Sequence, residues 1–257
     1  MVRKASVAFL TAALVVAAAT PATTAGTRHI SEYNISLGIL PVAKASFASE
    51  FGDGGYTING TFRSAGIVDI IARTSAETIV KGSMRGDKLQ ADSYSLVYRT
   101  NKKTQTYDVK YRNGNVVSTV IKPEPKKRPK TWIPIGDGDL RSVLDPLSGL
   151  IFPGDAKICP SKLPIYDGES RLDLVLTAKG TEKFSTRGFK GDAIVCSIRY
   201  VPKSGYRQGR SDIEYLKTVS MEVWFAKAEG VNVYAPVYAY IPTKMGPLYV
   251  TASKYGG

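Results

Sequence analysis

The chain has 257 residues and a formal charge of +13, with two cysteines and one histidine. Two thiols and one distant histidine are too few ligands for a zinc-type centre. Beyond the first 25 residues no stretch is apolar enough to span a bilayer, and the remaining length suits one large β domain or two small ones.

The chain begins MVRKASVAFLTAALVVAAATPATTAGTRH, in which Arg3 and Lys4 precede an uncharged apolar run from Ala5 to Ala19. Thr23 and Ala25 then fit the small-residue positions of a signal-peptidase site, so residues 1–25 are expected to be a cleaved secretory signal. The alternative is an uncleaved N-terminal membrane helix, for which the run is short. No cysteine follows it for lipid attachment. Export predicts a soluble periplasmic protein and sets aside nucleic acid as a partner. The positive charge then points to anionic envelope surfaces such as lipid headgroups, or to solubility alone.

Residues 26–257 are expected to form a single β-barrel-like domain. In its first β half, residues 28–121, YNISLGILPVAKASFASEF and GYTINGTF flank a GDGG turn, Gly52 to Gly55. The following GIVDIIARTSAETIVKGSM is long enough for a helix, but its Thr, Ile and Val content favours one long or kinked strand. Three further strand-like runs end at VIKPEPKKRPKTW. Proline supplies no amide hydrogen to a sheet and biases its neighbours to extended backbone. Residues 122–135 are therefore expected to be a stiff crossing kept solvated by Lys122, Lys126, Lys127, Arg128 and Lys130. The same five residues are candidates for contact with an anionic surface.

Residues 139–152 are expected to form one short, bent central helix. Asp139 and Asp145 would act as N-caps, with Leu140, Val143, Leu144, Leu147, Leu150 and Ile151 on its apolar face and Pro153-Gly154 as its stop. A second β half, residues 160–255, follows. About a dozen short strands separated by polar turns predict a mainly β fold. They are too many for a flat open sheet, so a curved antiparallel sheet forming a partly open β-barrel or spiral is expected.

Cys159 and Cys196 in an exported chain read as one disulfide, the rival readings being a metal pair or a redox couple. His29 lies close to the expected mature terminus, where disorder is common unless the segment is paired, so no catalytic role is assigned to it. Ser148 lacks a nucleophile-elbow setting. Asp137, Asp139 and Asp145 lack the glycine and the closing glutamate of a calcium loop. Asp167 and Asp173 read as a polar turn with an ion pair to Arg171. No catalytic residue, metal or cofactor is therefore expected.

The binding candidates are aromatic and apolar. Alternation puts Tyr234, Tyr238 and Tyr240 on one face of their strand and Val233, Val237 and Ile241 on the other, while Trp224 opposes Met221, Val223 and Phe225. Large side chains on both faces suggest that the second face lines a ligand cavity or is filled as ordinary core. The candidate lining is Trp224, Tyr234, Tyr238, Tyr240, Leu147 and Leu150, and a polar-tipped aromatic suits a site that is part dry and part wet.

YNISLGILPVAKASFASEF, SVLDPLSGLIFP, LPIYDGESRLDLVL and VYAPVYAYIPTKMGPLYVTASKY together resemble the DUF3108 family of proteobacterial exported proteins of unknown function. Its recurring features fall at Gly38 to Ala45, Leu144 to Ser148 and Tyr166 to Leu174, with Glu169 and Ser170 standing where basic residues are more usual. The resemblance implies a periplasmic, curved, partly open β-barrel connected with envelope integrity, and it supplies no catalytic residues. The expected function is thus non-enzymatic, with a lipid, lipoprotein or peptide held on the concave face. The alternative is a scaffold that binds anionic envelope components through its basic surface, and the oligomeric state is left open.

Overall fold

A computed structural model describes residues 26–52, 54–86 and 88–257. The expected signal segment, residues 1–25, lies outside the described residues. The first half contains β1 (Thr27–Leu37), β2 (Leu40–Gly52), β3 (Gly55–Ser64), α1 (Ile67–Ile71), β4 (Thr74–Arg85), β5 (Lys88–Thr100), β6 (Thr104–Arg112) and β7 (Asn115–Lys122). Two short strands follow, β8 (Trp132–Ile133) and β9 (Phe152–Pro153). The second half contains β10 (Ser161–Tyr166), β11 (Arg171–Thr186), β12 (Phe189–Ser204), β13 (Tyr206–Arg207), α2 (Ser211–Leu216), β14 (Ser220–Ala228), β15 (Val233–Thr243) and β16 (Gly246–Tyr255).

The main sheet has 14 strands and runs β10-β11-β12-β14-β15-β16-β1-β2-β3-β4-β5-β6-β7, with β9 added on β15. The first and last strands of the chain thus meet in the middle of the sheet, Ser31 opposite Tyr255 and Leu37 opposite Leu248. The sheet curls without closing. Its free edges, β10 and β7, are brought together by side chains instead of a ladder. The Tyr111 hydroxyl donates to the Tyr166 carbonyl at 3.3 Å, and the Thr119 and Tyr166 hydroxyls lie 3.1 Å apart. Residues 142–144 bridge the same gap: Val143 N–H donates to Gly114 O, Leu144 N–H to Pro164 O, and Tyr166 N–H to Leu144 O. Both edges are thereby covered, which removes a template for pairing with other chains.

The expected helix over 139–152 does not form. Two 3-10 turns, Asp137–Leu140 and Ser148–Leu150, flank an irregular stretch in which Ser142 has a positive φ of 52° and Leu144 bridges to Ile165. The reason is burial on several sides at once: Val143 packs with the first-half core and Leu144 with the second-half core, so the segment is extended between two clusters. A second correction concerns GIVDIIARTSAETIV. Its first part is a five-residue helix, α1, and only Thr74 onward is strand.

Cys159 and Cys196 are joined, tying the approach to edge strand β10 to β12, two strands inward. The bridge closes a 37-residue separation and, on the chain-entropy account, stabilises the fold by about 4 kcal/mol. The β11–β12 hairpin, 16 residues a side, carries its tip onto β16, where Tyr255 N–H donates to Arg187 O and Thr186 Oγ1 to Ala252 O.

Because the strands alternate in direction, the turns fall at two ends. The β2–β3, β4–β5, β6–β7 and β14–β15 turns lie at one, and the β1–β2, β3–β4, β5–β6 and β15–β16 connections at the other. Contacts of residues 143–152 with Gly114, β5 and Tyr234 place that segment at the first end, called here the plugged end.

Candidate functional site

Period-two alternation decides what the concave face presents. From β1 it receives His29, Ser31, Tyr33 and Ile35, and from β2 Ala45, Phe47, Ser49 and Phe51. Ile58 and Phe62 continue the wall on β3. Between them stands Gly60, where a Cβ would lie 2.7 Å from the Phe47 ring and 2.7 Å from the Thr78 methyl. A glycine there lets the Phe47 ring lie across the strand. From the other half come Met221, Val223, Val233, Ala235, Ala239 and Ile241, and Val250 from β16.

These side chains enclose an apolar cavity of about 410 Å3. That is within the range of roughly 300–1,000 Å3 common for small-molecule sites. Pro146, Leu147, Leu150 and Ile151 close it at the plugged end. At the opposite, mouth end it reaches Ile35, Phe62 and Ile241, and no residue of the connecting turns there contributes to the lining.

The plug is held by a carboxylate. Asp145 is fully buried, and its Oδ1 accepts N–H bonds from Leu147 and Ser148, both at 2.9 Å, while Oδ2 accepts the Ser148 hydroxyl. Burial pushes its pKa above the usual carboxylate range, partly offset by these hydrogen bonds. The arrangement turns the chain so that Leu147 and Leu150 point into the cavity.

One polar group in the cavity has no protein partner. His29 is only 4% exposed, its ring meets Tyr255 edge-on at 4.5 Å, and neither ring nitrogen makes a hydrogen bond. Desolvation lowers its pKa to about 4, so the ring is neutral near pH 7, with one donor and one acceptor free. Nearby Ser31 and Ser49 are also buried, and the Tyr33 hydroxyl donates to Pro236 O at 2.6 Å. Unsatisfied buried polar groups are few in native proteins, and each marks a place where a partner is to be sought.

Of the expected lining residues, Leu147 and Leu150 line this cavity and the four aromatics do not. Tyr234 packs beside the second-half core near Phe152. Trp224, Tyr238 and Tyr240 lie on the convex face, opposite Val223, Ala239 and Ile241. There they form a stripe with Phe184 and Tyr249, with ring centroids 4.9–6.4 Å apart. Trp224 Nε1 donates to Glu222, which also pairs with Lys179. On β14 and β15 the polar-tipped rings Trp224, Tyr238 and Tyr240 occupy the half-wet outer surface, while Val223, Ala239 and Ile241 face the dry inner one. The position of His29 near the expected terminus speaks for disorder, but its pairing with Ser49 in the β1–β2 ladder orders it.

Arg171 does pair with Asp173, at 2.7 Å, and Lys162 adds a second contact at 3.0 Å. Although burial raises the Asp173 pKa, these hydrogen bonds hold it below the usual range. Lys122, Lys126, Lys127 and Lys130 are exposed on the crossing. Arg128 differs: it pairs with Glu169 and lies 4.0 Å over the Trp132 ring, pinning the crossing to the β10–β11 turn. Among the described residues no three His, Cys, Asp or Glu side chains are grouped to hold a metal, and no helix is long and apolar enough to cross a membrane.

Among solved structures, the chain is similar to a β-barrel-like protein of the domain of unknown function DUF1849 from Brucella abortus. The identity is 15% and the TM-score 0.51, with 89% of this chain and 96% of that chain covered. This likeness supports the fold. A candidate lipoprotein from Parabacteroides distasonis matches over 91% of this chain and 96% of its own, at 11% identity and a TM-score of 0.30. No curated protein matches. The family model for DUF3108, described as a protein of unknown function, matches residues 32–253, and the chain belongs to that family.

Proposed function

We propose that the protein is a non-enzymatic periplasmic binding protein that supports envelope integrity by holding the apolar part of an amphiphile, a lipid, lipoprotein tail or apolar peptide, inside the barrel. The observation that carries this reading is the apolar cavity with the unpartnered His29 in its wall. A packed core would have filled that volume and paired that imidazole. The signal pattern at residues 1–25 and the disulfide support export. The scaffold alternative, acting through Lys122, Lys126, Lys127, Arg128 and Lys130, leaves the cavity without a use.

Native mass spectrometry of protein purified from periplasm, followed by solvent extraction, tests the reading. A co-purifying lipid or peptide near one per chain is expected in the wild type, and it should be lost from Ala239→Trp, which fills the cavity. A clean apo mass, together with failure of the apo protein to take up a fluorescent acyl probe, would defeat the carrier reading.

A further inference from the structure

The mouth end carries an unusual set of side chains. Ile39 is 95% exposed, Ile70 83%, Met245 82%, Ile71 71%, Ile67 60% and Leu40 55%. Isolated exposed apolar residues need no explanation, but a cluster of them does. These six come from three connections that the fold sets side by side. Gly38 N–H donates to Pro247 O at 2.8 Å, joining the β1–β2 turn to the β15–β16 turn. Ala65 N–H donates to Val42 O at 2.8 Å and brings α1 against β2. Gly66, at a positive φ of 60°, sits so close to Pro41 that a Cβ would be 2.6 Å from its carbonyl oxygen. The helix is therefore fixed in place, yet none of its residues is buried. A five-residue helix has almost no stability of its own, so the fold holds three isoleucines outward.

The charges around them are mostly basic. Lys44, Arg63, Arg73 and Lys244 are exposed in or beside these connections. The acid in the three connections is Asp69, and it is engaged by Arg73 at 3.3 Å and by the Ser64 hydroxyl at 2.6 Å. On the same end lie Lys102, Lys103 and the start of the basic crossing at Lys122.

We propose that the mouth end is a docking surface for an anionic bilayer, with Ile39, Leu40, α1 and Met245 entering the headgroup region and the surrounding lysines and arginines resting on lipid phosphates. Aliphatic tips on separate turns, flanked by basic residues, match what an interfacial lipid surface accepts. A protein partner would need a continuous complementary face, which three projecting tips do not supply. The position also fits: Ile35, Phe62 and Ile241 of the cavity wall stand two residues before Leu37, Ser64 and Thr243, where their strands end and these connections begin. Docking does not require the cavity to be occupied, and the two readings fail separately.

The test is co-sedimentation of the purified protein with phosphatidylethanolamine–phosphatidylglycerol vesicles. The comparison variant combines Ile39→Ser, Ile70→Ser and Met245→Ser, all at exposed positions that leave the fold untouched. Wild type should bind at least about tenfold more tightly than this variant, and binding should weaken with salt and with phosphatidylcholine alone. Uptake of a soluble acyl probe by the triple variant should equal that of wild type, which separates the rim from the cavity. Equal vesicle binding by the two proteins would overturn the proposal. So would loss of binding on charge reversal of Lys126, Lys127 and Lys130 with the triple variant unaffected, because the crossing alone would then be the contact.

Discussion

The two ends of this barrel are built on opposite rules. At the plugged end, apolar side chains of the plug turn inward and its turn is tied by a carboxylate: Leu147 and Leu150 line the cavity while Asp145 takes up the amides of Leu147 and Ser148. At the mouth end, isoleucines and a methionine of similar hydrophobicity face outward, with basic residues between them. Composition does not separate the ends. What separates them is whether the rest of the chain supplies a cover, and the covered end is where stability should be concentrated.

The largest loss should come from the strap near the plugged end. Replacing both Cys159 and Cys196 by alanine should lower unfolding free energy by about 4 kcal/mol in urea titrations, the value for a closed loop of this length. Asp145→Ala comes next. It strands the Leu147 and Ser148 amides in the interior and should cost about 2 kcal/mol by the same measurement. Acyl-probe binding should fall as well, since the plug leucines lose their anchor.

A further effect is on pH dependence. The folded-state pKa of His29 is lowered to about 4, against an unfolded value of 6.5, so between those values the unfolded chain takes up a proton that the native state refuses. Stability contributed by His29 is therefore full above pH 6.5 and is lost as pH falls toward 4. His29→Gln should flatten the difference in stability between pH 7 and pH 4.5 relative to wild type. An unchanged slope would show that the imidazole is hydrated in solution.

Much of the fold was legible because period-two alternation is a local signal: β1, β2, β10 and β14 to β16 all announce themselves, as does the proline crossing. The segment 139–152 was not legible. Its apolar spacing fits a helical stripe, but Pro146, and Gly149 packed against Ile165, belong to a chain squeezed between two cores, and that crowding is a tertiary fact. The cavity was half legible. Alternation separated Tyr238 and Tyr240 from Ile241, but a register slip at Trp224 and Phe225 puts Pro236 in the wall instead of Val237; nothing local says which face is concave, and polar-tipped rings drew attention to the other one. The rim was illegible for a related reason: Ile67, Ile70 and Ile71 read as interior residues wherever they occur in a sequence.

The pairing of β1 with β16 sets a timetable for the molecule. Residues 27–37 find half of their partners only among residues 246–255, at the far end of the chain. The sheet cannot be completed while the last strand is still on the ribosome. Until it arrives, two strand edges stay open in the middle of what will be the barrel wall. A chain wired in this way closes its sheet in one late step. Non-local closure of this kind is slow, and a truncation of only ten residues would leave the protein as two half-sheets.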